Sequence, residues 1–124
     1  MSILSKIILA TIIFISPCYA EVQNLTASWY STQSLKEEGT WKHSKGVMAN
    51  GQQFSDNAFT CACNSYKLGD RLRVIGRNGR SVVVVVTDRT AKRFTGKRID
   101  LSISAFSKIS DTCRGLEKVT VEKI

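Results

Sequence analysis

Apolar and polar residues alternate with a period near two along most of the chain after Val22. Val22 to Tyr30 alternates in part and is rich in β-formers, which predicts a first strand. Ser31 to Gly51 is polar, is punctuated by Gly39, Gly46 and Gly51, and reads as a long loop. Phe54 to Cys63 is a second extended stretch. Arg71 to Ile75 and Ser81 to Thr87 flank Gly76-Arg77-Asn78-Gly79-Arg80, a hairpin in which Asn78-Gly79 supplies the positive backbone dihedrals of a tight turn. Val82 to Val86 are all valine. A strand of that kind, buried on both faces, fits a closed barrel better than a one-sided sheet. Ser102 suits the N-cap of a helix over Ile103 to Ile109, where Ile103, Phe106 and Ile109 share a face. Leu116 to Ile124 alternates again and gives the last strand. Neither repeats nor low-complexity tracts interrupt this pattern, so it predicts one all-β barrel with one short helix.

The first residues break the pattern. Met1 to Lys6 is a short basic start, Ile7 to Ser16 is nearly all apolar, and Pro17-Cys18-Tyr19-Ala20 closes the segment with small residues. This predicts a signal peptide over residues 1–20, cleaved after Ala20, and a domain over residues 21–124 that is exported to the periplasm or secreted. The apolar run falls short of the roughly 20 residues a membrane span needs, so no stable span is expected. Pro17 directly before Cys18 argues against lipidation there. The formal net charge of +8 over 124 residues suits a polyanion such as cell wall, acidic polysaccharide, anionic lipid or nucleic acid, and charge alone does not choose among them. Export makes a disulfide plausible. Cys61 and Cys63 project from the same face of an extended strand, so one of them is expected to reach Cys113. Closing a loop of about 50 residues would contribute roughly 3–4 kcal/mol. Cys-x-Cys with one distant Cys and the lone His43 fits no common zinc spacing, so neither a metal nor a cofactor is expected.

Several short motifs then fall in a known order. They are Ala27-Ser28-Trp29-Tyr30, Ala49-Asn50-Gly51-Gln52-Gln53-Phe54, Leu68-Gly69-Asp70-Arg71, Asn78-Gly79-Arg80-Ser81, Thr87-Asp88-Arg89, Ile99-Asp100-Leu101-Ser102 and Val119-Thr120-Val121-Glu122. Together they resemble the rare lipoprotein A (RlpA) family of septal, peptidoglycan-cleaving lytic transglycosylases, from about Leu25 to Glu122. The resemblance implies a six-stranded double-psi β-barrel, the fold of expansins and barwin-like proteins. It also implies a monomer whose partner is the peptidoglycan glycan strand rather than nucleic acid. The expected reaction is cleavage to 1,6-anhydro-muramyl products with Asp88 as general acid and base.

The residues support parts of that expectation and qualify others. Asp88 follows a very apolar strand, where low-dielectric surroundings favour a protonated carboxyl able to give its proton to a glycosidic oxygen. The bland alternative is that Asp88 pairs with Arg89 or caps a turn. Asp100 is the other motif acid and reads as structural or as a second groove carboxyl. Family members commonly carry Glu where this chain has Gln52, His where it has Cys63, and Gly-Pro where Asp88-Arg89 continues into Thr90-Ala91. Gln52 can hydrogen-bond a sugar but cannot transfer a proton at neutral pH. The resemblance makes Cys61 the partner of Cys113 and leaves Cys63 to line the groove. A thiol nucleophile would need a base, and His43 lies in a loop of unknown position. Tyr30, Asn50 and Arg89 are candidate sugar hydrogen-bonders. Tyr30, Trp29 and Trp41 are candidate stacking platforms, with Trp41 the best exposed. Gln52 and Cys63 favour an alternative reading, a non-catalytic, expansin-like module that binds glycan.

Overall fold

The computed structural model describes residues 22–124; the expected signal peptide and Cys18 lie outside the described residues. Six strands carry the chain, β1 (Val22–Tyr30), β2 (Thr60–Ala62), β3 (Arg71–Gly76), β4 (Ser81–Asp88), β5 (Arg98–Ser102) and β6 (Glu117–Lys123). They hydrogen-bond in the order β1-β5-β2-β4-β3-β6 and close into a barrel, which removes the free edges that a valine-rich strand would otherwise expose. The β1/β5 and β2/β4 pairs are parallel and the others antiparallel.

Alternation fills the interior. Leu25 and Ala27 of β1, Leu72 and Val74 of β3, Val82, Val84 and Val86 of β4, Ile99 and Leu101 of β5, and Val119 and Val121 of β6 form one buried cluster. Val83 and Val85 are only half-buried, so the valine strand has a dry face and a damp one. Helix α3 (Ile103–Ile109), capped by the Ser102 side chain on the Ala105 N–H, adds buried Ala105, Phe106 and Ile109 to the core. Trp29 packs against the same cluster and donates from Nε1 to the Thr112 carbonyl at 3.0 Å. It is a structural residue.

Three local expectations change. Only Gly79 takes a positive φ, 83°, in the hairpin. The Gly76 N–H donates to Arg80 O at 2.8 Å and the Gly79 N–H to Gly76 O at 3.0 Å, which makes a three-residue loop with glycine at its left-handed position. The expected loop after β1 contains two short helices, α1 (Thr32–Glu37) and α2 (Trp41–Ser44). Helix α1 starts at a capping box in which Ser31 and Ser34 each bond the other's backbone N–H, and it buries no residue. A helix set by its cap and lacking an apolar face leaves no periodic signal. The stretch from Phe54 is strand only at Thr60–Ala62, because its polar groups serve the helices: Asp56 Oδ1 accepts the Thr32 N–H at 2.7 Å.

The expected Cys61–Cys113 disulfide is not formed, and Cys61, Cys63 and Cys113 are free thiols. Cys61 is fully buried in the barrel. Cys113 is exposed on a turn over Thr112–Arg114. The Trp29–Thr112 bond and an Asp111 cap on the Cys113 N–H (2.9 Å) fix that turn outside the barrel wall.

Candidate functional site

Strand register brings the two motif acids into one row. Asp88 of β4 pairs with Ala62 of β2, Ala62 with Asp100 of β5, and Asp100 with Ser28 of β1. Two inter-strand steps separate the acids, roughly 9–10 Å between backbones. A register irregularity makes this possible. Cys61 pairs with Val86 and Ala62 with Asp88, so Thr87 is skipped. Strict alternation after Val82, Val84 and Val86 would send residue 88 into the core. The extra residue moves Asp88 into the row of Asp100 and Ser28, which alternate with inward-facing Leu101 and Ala27.

Asp88 is half-buried, and its Oδ1 accepts the backbone N–H of Ala49 at 3.0 Å and of Arg89 at 2.9 Å. Among the described residues Oδ2 has no hydrogen-bond partner. The loop supplying Ala49 is itself anchored. The Asn50 N–H donates to Thr87 O at 3.1 Å, Met48 is buried against Thr87, and buried Phe54 stacks on Tyr30 with ring centroids 4.5 Å apart. The Tyr30 hydroxyl is buried without a hydrogen-bond partner. Burial first, then the charges of Asp88, Cys61 and Asp100, push its ionisation far above the ordinary phenol range, so it is a neutral donor.

The low-dielectric environment expected around the strand end falls on Asp100. Burial raises its carboxyl pKa, the hydrogen bond from Ser28 Oγ and the charge of Arg98 oppose the rise, and nearby Asp88 adds to it. Cys63 is buried in the same neighbourhood. Burial raises its thiol pKa, against hydrogen bonds from Ser65 and the charge of Arg89. Burial likewise raises Cys61, and the charge of Cys63 adds to the rise. Neither is poised as a thiolate nucleophile, and His43 is exposed on α2.

Other candidate residues take supporting positions. Arg89 donates from Nη1 to the carbonyls of Cys63 and Tyr66, both at 2.5 Å, and ties the β2 exit to the end of β4. Asn64 clamps the next residue, accepting the Thr90 N–H at 3.0 Å and donating to Thr90 O at 3.1 Å. Asn50 and Gln52 are exposed and hold each other: Asn50 Nδ2 donates to Gln52 Oε1 at 3.0 Å, and Asn50 Oδ1 accepts the Gln52 N–H at 2.9 Å. They shape the loop that fixes Asp88. Trp41 is not brought to the acids by any contact. Its ring lies over Gly46, where an added Cβ would come within 2.5 Å of it, and Lys36 Nζ sits 4.9 Å from the ring centroid. Gly46, at φ +78° and under that ring, admits no side chain. Trp41 therefore covers the loop rather than offering a bare platform. The sequence reading missed Ser28, Phe54 and the Ala49 N–H as parts of the site; all lie inside motifs that carried the resemblance.

Comparison with known proteins identifies the family and the fold. Residues 22–121 match the family described as Lytic transglycolase. The Endolytic peptidoglycan transglycosylase RlpA of Pseudomonas aeruginosa is 35% identical over 80% of this chain, and that of Neisseria meningitidis serogroup B 34% identical over 82%. The chain spans only 26% and 39% of the length of those two relatives. Among solved structures, a Streptomyces papain inhibitor superposes with a TM-score of 0.62 at 21% identity, covering 83% of this chain and 94% of its own. An expansin of Clavibacter michiganensis superposes at 0.60 and 21%, covering 83% of this chain and 50% of its own. A variant of that expansin has been solved with cellohexaose. At such identities these structures attest the double-psi barrel fold alone. Sequence match and barrel topology concur, and the chain belongs to the lytic transglycolase family.

Proposed function

We propose that this domain cuts the glycan strands of peptidoglycan outside the cytoplasm as a lytic transglycosylase, with Asp88 transferring both protons. The observation that carries this reading is the asymmetry of Asp88. One oxygen is fixed by two backbone N–H groups and the other is unbonded, beside a neutral Tyr30 hydroxyl without a partner. Protonated Asp88 gives its proton to the glycosidic oxygen as the bond to the anomeric carbon breaks. The carboxylate left behind takes the proton from the sugar's own 6-hydroxyl as that oxygen attacks the anomeric carbon. The product is a 1,6-anhydro end, the acid is regenerated, and no activated water is needed. In this reading Asp100, held by Ser28 in the same row as Asp88, supports the site from beneath rather than transferring a proton. Two of the named relatives are peptidoglycan transglycosylases, which supports the substrate class.

A second reading keeps the glycan and drops the reaction. Gln52 stands where a motif carboxylate is expected and is tied to Asn50, so the site has no second exposed acid on that loop. This favours an expansin-like binding module. Incubating the purified protein with sacculi and analysing soluble products by mass spectrometry separates the two. The enzyme releases 1,6-anhydro ends, and Asp88→Asn abolishes them while still binding. Binding by the unaltered protein with no anhydro product would leave only the module.

A further inference from the structure

A hollow lies on the outer face of β1, immediately before the acid row. Leu25 and Ala27 point into the core, so Asn24, Thr26 and Ser28 share the outer face. Ser28 belongs to the acid row, Thr26 lies roughly 7 Å back along the strand, and Asn24 about 13 Å back. Around Asn24 and Thr26 the surface opens into a hollow of about 430 Å³, also lined by Arg77, Lys97, Lys118 and Thr120. Register explains the convergence. Thr26 pairs with Lys118 of β6 on one side and Arg98 of β5 on the other, and Asn24 pairs with Thr120.

Charge distinguishes this hollow. It contains three cations and no acid. Nearby, Arg73 pairs with Glu122 at 2.9 Å and Arg114 with Glu117 at 3.5 Å. Among the described residues, Arg77, Lys97 and Lys118 form no ion pair. Thr120 Oγ1 donates to Asn24 Oδ1 at 3.1 Å, which orients the Asn24 amide and leaves its N–H groups for a ligand.

We propose that this hollow is a carboxylate subsite of the glycan groove, in which Arg77, Lys97 and Lys118 hold an acid group borne by a sugar one or more units away from the scissile bond. The proposal rests on the reading that the groove takes glycan strands, and it names the substrate class as a carboxylate-bearing polysaccharide. Continuity along β1 carries the strand from the acid row into the hollow. Sparse charge is required of the ligand. Asp88 and Asp100 stand at the other end of the same face, so a polymer with a phosphate at every unit would meet two acids as it met three bases. A glycan with one carboxylate per few sugars satisfies both ends.

The test uses peptidoglycan glycan strands stripped of stem peptides, which bare the muramic acid carboxylates, and the same strands after those carboxylates are converted to neutral amides. Binding is measured by fluorescence anisotropy against Arg77→Gln/Lys97→Gln/Lys118→Gln and a control, Lys42→Gln/Arg71→Gln/Lys108→Gln, that removes as much charge elsewhere. The subsite variant is expected to lose roughly ten-fold in affinity for the acidic strands and nothing for the amidated ones. The control is expected to change little, and thermal unfolding should be the same for both. Equal weakening by the two variants would overturn the subsite, as would equal binding of acidic and amidated strands by the unaltered protein. Displacement of the strands by an oligonucleotide at equal charge concentration would also overturn it. Asp88→Asn separates the two claims. If it binds like the unaltered protein and still yields anhydro ends, the assignment of Asp88 fails and the subsite stands.

Discussion

The barrel wall around β3, β4 and β6 and the segment from Ser31 to Phe59 that overlies Asp88 are built on opposite principles. The wall is held by buried aliphatic side chains in strict register: Leu72 sits across from Val84, and Val74 across from Val82 and Val121. The segment is held by caps, turns and a few anchors, chiefly the Ser31–Ser34 box, the Asp56–Thr32 bond and buried Met48 and Phe54. Apolar burial scales with area and is indifferent to direction, whereas each bond in the segment fixes one atom. The wall therefore sets whether the protein is folded, and the segment sets where Asp88 points.

The largest effect should come from the wall. Leu72→Ala removes a fully buried side chain from a closed barrel that cannot collapse around the gap, and is expected to cost about 2–5 kcal/mol in urea unfolding. Glycan cleavage per folded molecule should stay near that of the unaltered protein. Phe54→Ala comes next. It removes the ring under Tyr30 and loosens the loop that carries Ala49 to Asp88, and the exposed loop can relax, so about 2 kcal/mol is expected. Cleavage should fall at least ten-fold, because Oδ1 loses a fixed donor. If Phe54→Ala matches Leu72→Ala in stability and leaves cleavage intact, the segment belongs to the core and the contrast is wrong.

This division explains what the sequence disclosed. Alternation located β1 and β6, the Asn78-Gly79 turn between two β-forming runs located β3 and β4, and the Ser102 cap located α3, because in each the local pattern is the cause of the structure. The closed barrel and the resemblance to transglycosylases were legible from the motifs. Three things were not. The skipped Thr87 that turns Asp88 outward is a property of how β4 pairs with β2, and a single strand's composition does not contain it. Helices α1 and α2 arise from hydroxyl caps without an apolar face. The proposed disulfide failed because spacing gives loop length but not which side of a barrel wall a cysteine occupies. The three-cation hollow left no local signal either: Arg77, Lys97 and Lys118 are far apart in the chain and meet only through strand pairing.

Asp100 offers a smaller effect that tests the acid row itself. Its folded-state pKa is raised chiefly by burial. Above the unfolded value of about 3.9 the unfolded state therefore loses this proton first, and stability associated with it falls as pH rises through the folded value. Asp100→Asn keeps an acceptor for Ser28 and removes the buried charge. The variant should melt higher than the unaltered protein at pH 7, and the difference should shrink as pH is lowered toward 4. A difference that is constant with pH would show that burial does not raise the Asp100 pKa.

The smallest effect should come from Ser31→Ala at the start of α1. The Ser31 side chain accepts the Ser34 N–H at 3.1 Å, and its own N–H is satisfied by Ser34 Oγ at 2.8 Å. Loss of an N-cap of this kind costs about 1 kcal/mol. Because α1 buries no residue, that cost should be local: the helix can open while the barrel stays closed. Hydrogen exchange at Ser34 and Leu35 should quicken several-fold, with no matching change at Val74 or Val84 and little shift in the urea midpoint. Equal quickening in the strands would mean that α1 unfolds only with the barrel. The segment over Asp88 and the wall beneath it would then form one cooperative unit, and the positioning of the acid could not be tuned independently of the fold.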